Sequence, residues 1–305
     1  MHPVIFVVGP TACGKSQLAL ELAQHFSGAI LNCDSLQVYK RLDIGTAKPT
    51  QDERQKIPHY LFDVLDPGDV LTAGDYRRLA LTELQARLPE RMIFAVGGSG
   101  FYIQALEKGM FEVDKPTPEI EHKVREQLAA NGLENLYAEL KTLDPESAED
   151  ISPNDSYRIV RALVVLHDSG RKMSDLKKQF QPEKLPFPYL KLGLNLNRET
   201  LLPRVTERTR KMLDSGLLQE VERLLRDGYE AWPALHSVGY KECVDHLRGR
   251  LSLEQLAPKI IEKTMQLAKK QRTWFKRDQD IQWLKPENPV QQAIQYVNNI
   301  ERCSE

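Results

Sequence analysis

The sequence predicts an α/β fold, a parallel sheet core flanked by helices and interrupted by an all-helical insertion. Three observations predict it. Short apolar runs at 4–8, 29–31 and 92–96 each end in a polar or glycine-rich turn; apolar residues at helical spacing follow; and prolines bracket a long stretch without a strand pattern. In sheets of this kind the ligand site lies at the carboxyl edge, where the strands end.

The first strand, Val4-Ile5-Phe6-Val7-Val8, is β-branched and aromatic, and the helix after it, 16–26, carries Leu18, Leu22 and Phe26 on one face. The second strand, 29–31, delivers Asn32-Cys33-Asp34-Ser35. The third, 92–96, delivers Gly97-Gly98-Ser99-Gly100 and a helix over 101–107. Pro116 and Pro118 on one side, and Pro182, Pro186 and Pro188 on the other, bracket 119–185, which reads as an inserted helical domain. The core is then discontinuous, 1–118 and 186–305. Leucines alternating at period two over 190–196 resume the sheet. A helix over 199–213 follows, and another starts at Ser252, where Gln255 completes a capping-box pattern, and runs to Phe275.

A chain of 305 residues fits a main domain plus an insertion, given about 150 residues per domain. With 41% hydrophobic and 28% charged residues it has an ordinary globular composition. No apolar run approaches the ~18 residues of a membrane span. The first run passes into a glycine loop rather than a cleavage site, so a cytoplasmic protein without membrane contact is expected. Cys13, Cys33, Cys243 and Cys303 are scattered, with no C-x-x-C pair, and are expected to be free thiols. His59, His122, His167 and His246 show no metal-ligand spacing. The net charge of −1 conceals an asymmetry: 201–277 carries 16 Lys+Arg against 10 Asp+Glu, and the remainder 26 against 33.

Gly9-Pro10-Thr11-Ala12-Cys13-Gly14-Lys15-Ser16 matches G-x-x-x-x-G-K-[ST] between a strand and a helix, which makes the expected core P-loop NTPase-like. The loop's N–H groups at a positive helix end, with the Lys15 charge, suit linked phosphates, and Ser16 can ligate Mg²⁺. The motif is that of nucleotide- and ATP-binding proteins, but the phosphate compound need not be ATP. A second strand ending in a Mg²⁺-holding Asp is missing, because 92–96 ends in glycines. The nearest carboxylate is Asp34, which could hold metal, act as a general base, or cap the following turn.

Six segments together resemble the tRNA isopentenyltransferase (tRNA dimethylallyltransferase) family: the P-loop; Asp34-Ser35-Leu36-Gln37-Val38-Tyr39; Asp43-Ile44-Gly45-Thr46-Ala47-Lys48-Pro49; Val96-Gly97-Gly98-Ser99-Gly100-Phe101-Tyr102; Ser237-Val238-Gly239-Tyr240-Lys241-Glu242; and 266–275. The resemblance spans nearly the whole chain, in the family's order. It implies transfer of a dimethylallyl group from dimethylallyl diphosphate to N6 of adenosine 37, beside the tRNA anticodon. In this reading Asp34 is the base. Thr11, Lys15, Ser16, the loop amides and Mg²⁺ meet the leaving diphosphate, joined by Arg208, and Ser99 contacts the reacting region. Arg204, Arg208 and Lys211 share a helical face, a pattern that also suits a solvated surface. The glycines beside Ser99 could equally serve close packing.

The target adenine must leave its stack, and the resemblance implies that Asp34, Ser35, Leu36 and Gln37 hold it. Contacts to the tRNA anticodon stem-loop are expected from Arg158 and Arg161 in the insertion, from Gly239, Tyr240 and Lys241, and from Lys269, Gln271, Arg272, Trp274 and Lys276. Val164 stands where the family commonly has Glu. The Cys/His set of a zinc finger is missing, so the likeness is to the bacterial form, expected to act as a monomer. A P-loop kinase and a non-enzymatic RNA-binding adaptor are the rival readings. The first would turn over ATP; the second would tolerate loss of Asp34.

Overall fold

The computed structural model describes residues 2–302 apart from Glu112, Asp114 and Lys115; Cys303 lies outside the described residues. The chain divides into two compact units, Met1–Glu107 with Leu185–Glu305, and Lys108–Lys184. In chain order the first runs β1 (Val4–Val8), α1 (Lys15–His25), β2 (Ala29–Asn32), α2 (Gln51–Lys56), β3 (His59–Tyr60), α3 (Ala73–Arg87), β4 (Ile93–Gly97) and α4 (Gly100–Lys108). The second supplies α5 (Pro118–Leu143), α6 (Pro145–Asp150), α7 (Ser156–Ser169) and α8 (Met173–Gln179). The first resumes with β5 (Tyr189–Gly193), α9 (Arg198–Asp214), α10 (Leu217–Arg226), a 3-10 turn (Pro233–His236), α11 (Tyr240–Leu247), α12 (Leu253–Phe275), β6 (Ile281–Trp283) and α13 (Pro289–Arg302).

The sheet has the order β3-β2-β4-β1-β5-β6, and every pairing is parallel. The central strand β1 is buried along its whole length, as expected where both faces of a parallel sheet are covered. Ile5, Val7, Leu18, Leu22, Phe94 and Leu192 pack in one cluster with Ala293 and Val297 of α13. Burying a leucine of this kind contributes roughly 1.5–3 kcal/mol. A second cluster joins Val38 and Leu42 to Val221 of α10, Tyr240 of α11 and Ile260 of α12. The Ser252–Gln255 capping box forms as expected at the head of α12. No helix among the described residues is long and apolar enough to cross a membrane.

Four differences from the sequence reading have physical causes. The insertion starts at Lys108 rather than 119, because Pro118 is the first residue of α5, not the point where the chain leaves the core. The unit's two ends meet where Glu183 N–H donates to the Lys108 carbonyl at 2.9 Å. Gly132 breaks α5 with a left-handed φ of 79°. Strand β5 stops at Gly193, and Asn197 then caps α9 by accepting the Thr200 N–H at 2.8 Å. Lys191, inside the leucine alternation, is buried: its Nζ donates to Glu107 at 2.9 Å and to Asp278 at 2.7 Å. In the helical unit Val164 is a core residue, 2% exposed, packed with Leu140 and Leu163.

Candidate active site

Strand β1 hands the chain to the phosphate-binding motif at Gly9, whose φ is +143° and where an added Cβ would lie 2.2 Å from the Leu194 carbonyl oxygen. Ala12 and Gly14 are also left-handed, and Gly14 caps α1. The loop therefore leaves the unpaired N–H groups of the first helical turn at its mouth, at the positive end of the helix dipole. Lys15 Nζ donates to the Pro10 carbonyl at 2.7 Å, folding back over the loop. Burial holds the Lys15 ammonium below its ordinary pKa; Cys13 opposes this, Arg208 adds to it, and Asp34 opposes it. Cys13 packs in the core, and its Sγ accepts a long contact from Lys15 Nζ at 4.0 Å. Ser16 is exposed at the head of α1.

Strand β2 ends in a turn built by fully buried Asn32. Its Oδ1 accepts the Asp34 N–H at 2.8 Å, while its Nδ2 donates to the carbonyls of Asp34 and Leu61. Asp34 Oδ1 accepts the Leu36 N–H at 2.9 Å, an Asx turn, and Oδ2 has no protein hydrogen bond among the described residues. The capping role left open in the sequence thus occupies one oxygen only. The other is available for proton transfer. Asp34 lies close enough to Lys15 and Arg208 to favour the charged form of both.

Beyond β4, Ser99 Oγ accepts the Ser35 N–H at 3.0 Å and donates to Ser35 Oγ at 3.2 Å. Ser99 therefore ties the second glycine loop to the Asp34 turn. The packing reading of the glycines holds: a Cβ at Gly97 would lie 2.0 Å from the Cys33 carbonyl oxygen, and one at Gly98 2.4 Å from Gln271 Nε2.

The Gln271 Oε1 accepts the Thr11 N–H at 2.8 Å and its Nε2 donates to the Gly98 carbonyl at 3.0 Å, so its amide clamps the two glycine loops together. One turn on, the Trp274 indole covers Gly100, where a Cβ would meet Nε1 at 2.2 Å, and Trp274 keeps 36% exposure. The Tyr240 side chain is fully buried, and its hydroxyl donates to Glu220 at 2.7 Å. Gly239 is buried as the cap of α11, while Lys241, Lys269 and Lys276 are exposed and Arg272 is half-buried. Arg158 is exposed and Arg161 half-buried on α7 of the helical unit.

Arg208 reaches the site from α9. Burial lowers its pKa and Asp34 raises it. Arg204, one turn earlier, stands 3.6 Å from where a Gly14 Cβ would be. Both line an open cleft of about 1080 Å³ whose walls carry seven Lys and Arg side chains against Asp43, Asp63 and Glu207. Lys48 anchors the opposite wall, donating to Asp43 at 2.7 Å and also to Asp63. Glu220 escapes sequence reasoning, since a polar residue on a helix carries no mark of what approaches it.

The arrangement is a cationic anion cradle beside a carboxylate with a free oxygen. A model of the IPP transferase family matches residues 37–278. The chain is 46% identical to the tRNA dimethylallyltransferase of Bdellovibrio bacteriovorus, over 92% of each chain, and 44% identical to that of Synechocystis, over 94% of this chain and 92% of that one. Among solved structures, a eukaryotic dimethylallyltransferase acting on tRNA superposes with a TM-score of 0.82 at 28% identity, covering 99% of this chain and 80% of that one. The Staphylococcus epidermidis tRNA isopentenylpyrophosphate transferase gives 0.69 at 33% identity, covering 99% and 100%. These neighbours share the P-loop NTPase-like sheet. By the extent of the match, the chain belongs to the IPP transferase family.

Proposed function

We propose that the protein transfers a dimethylallyl group from dimethylallyl diphosphate to N6 of adenosine 37 in tRNA, releasing diphosphate. The observation that carries this reading is the Asp34 carboxylate, with Oδ2 unpaired, coupled to Lys15 and Arg208 at the edge where β1, β2 and β4 end. An exocyclic adenine amine is a weak nucleophile, its lone pair being delocalised into the ring. As N6 forms its bond to C1 of the allyl group, the proton it sheds passes to Asp34 Oδ2. The C1–O bond breaks, and the electron pair leaves with the diphosphate. The loop amides, Lys15, Arg208 and Arg204 are preorganised donors for that growing charge. A stacked base cannot present N6 to this carboxylate, so the target adenine must be extruded to enter.

Mg²⁺ belongs to the proposal. Among the described residues no cluster of three or more His, Cys, Asp or Glu could hold a metal. The Ser16 hydroxyl has no protein hydrogen bond among them, which fits an ion held by one hydroxyl, diphosphate oxygens and water. When bound, the ion would neutralise part of the diphosphate charge. One chain contributes cradle, base and the Asp34–Gln37 turn, so a monomer acting on an anticodon stem-loop suffices. The test is diphosphate release on mixing the protein with unmodified tRNA, dimethylallyl diphosphate and Mg²⁺. Release should require tRNA and be absent with ATP; tRNA-independent ATP turnover would overturn the reading in favour of a kinase.

A further inference from the structure

Residues 43–47 form a turn held by one buried carboxylate. Glu220, 5% exposed, accepts the N–H groups of Asp43 at 3.1 Å and Ile44 at 2.8 Å on Oε2. On Oε1 it accepts the Gly45 N–H at 3.3 Å and the Tyr240 hydroxyl at 2.7 Å. Three consecutive amides converging on one anion make a nest, built here from the protein's own carboxylate. The ring of Tyr240 fills the space beside Gly45, where a Cβ would lie 2.5 Å from it. Thr46 Oγ1 closes the turn on the Leu42 carbonyl at 2.6 Å.

The far side of this turn holds Gln37. Its Nε2 donates to the Thr46 carbonyl at 2.9 Å and to the Ala47 carbonyl at 3.3 Å. Only an amide NH₂ can face two carbonyls, so the orientation of the group is determined, and Oε1 is left without a protein hydrogen bond among the described residues. Gln37 therefore offers an acceptor, the complement of an exocyclic amine.

We infer that Glu220 and Tyr240 are positioning residues for the RNA half of the reaction: they hold the 43–47 turn, whose carbonyls orient Gln37 toward the entering base. The inference rests on the proposed reading that Gln37 meets the extruded adenine. Among the described residues no hydrogen bond or ion pair joins either residue to the phosphate-binding loop.

A double-mutant cycle tests it, with kcat/KM for an anticodon stem-loop RNA, the Kd for inorganic pyrophosphate, and the unfolding midpoint measured on each variant. Glu220→Gln exchanges one accepting oxygen for an NH₂ and should lower kcat/KM for RNA about tenfold, with the pyrophosphate Kd changed by less than about twofold. Tyr240→Phe, which keeps the ring against Gly45, should give a smaller loss of the same kind and carries the cycle if Glu220→Gln folds poorly. In a Gln37→Ala background either substitution should add less than about a twofold loss, because it acts through a side chain already removed. Losses that multiply in that background, a Gln37→Ala variant as active as the parent, or a parallel fall in pyrophosphate affinity would each overturn the inference. Failure of the unaltered protein to modify the RNA at all would instead overturn the reading on which it rests.

Discussion

Replacing Asp34 by Asn removes one negative charge and almost nothing else. Asn Oδ1 can still accept the Leu36 N–H, a bond of 2.9 Å in the parent, and the Asn32 contacts to the backbone of residue 34 do not involve the side chain. The unfolding midpoint should therefore move by no more than about 2 °C. What disappears is Oδ2 as proton acceptor, since an amide nitrogen cannot accept. A general base contributes roughly 10²–10⁴-fold, which at about 1.36 kcal/mol per decade is some 2.7–5.4 kcal/mol of barrier. Asp34 also sits as an anion beside the cradle, favouring the charged forms of Lys15 and Arg208. Its loss removes a repulsion toward diphosphate, so pyrophosphate should bind as tightly as before or more tightly. Rapid-quench single turnover, with protein in excess over stem-loop RNA, reads the chemical step. A rate within about threefold of the parent, well short of the general-base contribution, would refute the assignment of Asp34 as base.

Pyrophosphate affinity should fall with rising pH sooner than at a solvent-exposed lysine site, because only protonated Lys15 attracts the anion and burial holds its pKa below the ordinary 10.5. The same depression means that Lys15 destabilises the unliganded fold while protonated, a penalty relieved as pH rises through the lowered value. Affinity constant up to pH 10.5 in calorimetric titrations would contradict this. Gln271→Ala deletes two hydrogen bonds between the glycine loops, worth about 1–3 kcal/mol together, and should lower the unfolding midpoint by roughly 1.5–5 °C. An unchanged midpoint would show that the clamp contributes nothing. Neutralising Lys269, Arg272 and Lys276 should reduce the slope of log K for tRNA against log salt by about 2 if all three neutralise phosphates; an unaltered slope would move the RNA surface elsewhere.

Much of the site was legible because its chemistry is carried by residues at strand ends. Buried parallel strands read as apolar runs, and the turns they deliver are where Lys15, Asp34 and Ser99 stand. Short strands were not legible: His59–Tyr60 and Ile281–Trp283 are too brief for periodicity and exist because β2 and β5 present edges for them. Helix α3 carries a Thr72–Asp75 capping box in its sequence, a mark that could have located it. Gln271 and Tyr240 were read as RNA contacts from the company they keep in sequence, one in a basic helix and one in a Gly-Tyr-Lys segment. What the sequence could not show is what their side chains meet inside the protein, the Thr11 and Gly98 backbone for one and the Glu220 carboxylate for the other. Glu220 itself looks like one more charge on an amphipathic helix until three amides from residues 43–45 converge on it. Lys191 is likewise hidden in a leucine alternation and buried only because Glu107 and Asp278 meet it.

The central claim is that this site joins a dimethylallyl group to one adenine nitrogen of tRNA. Mass spectrometry of nucleosides from tRNA incubated with the protein, dimethylallyl diphosphate and Mg²⁺ tests it most directly. The account predicts that adenosine 37 gains the mass of one dimethylallyl group, attached at N6, and that Asp34→Asn protein leaves it unmodified over the same interval. An unmodified adenosine 37 with fully folded parent protein, or the group attached to another nucleoside, would contradict it.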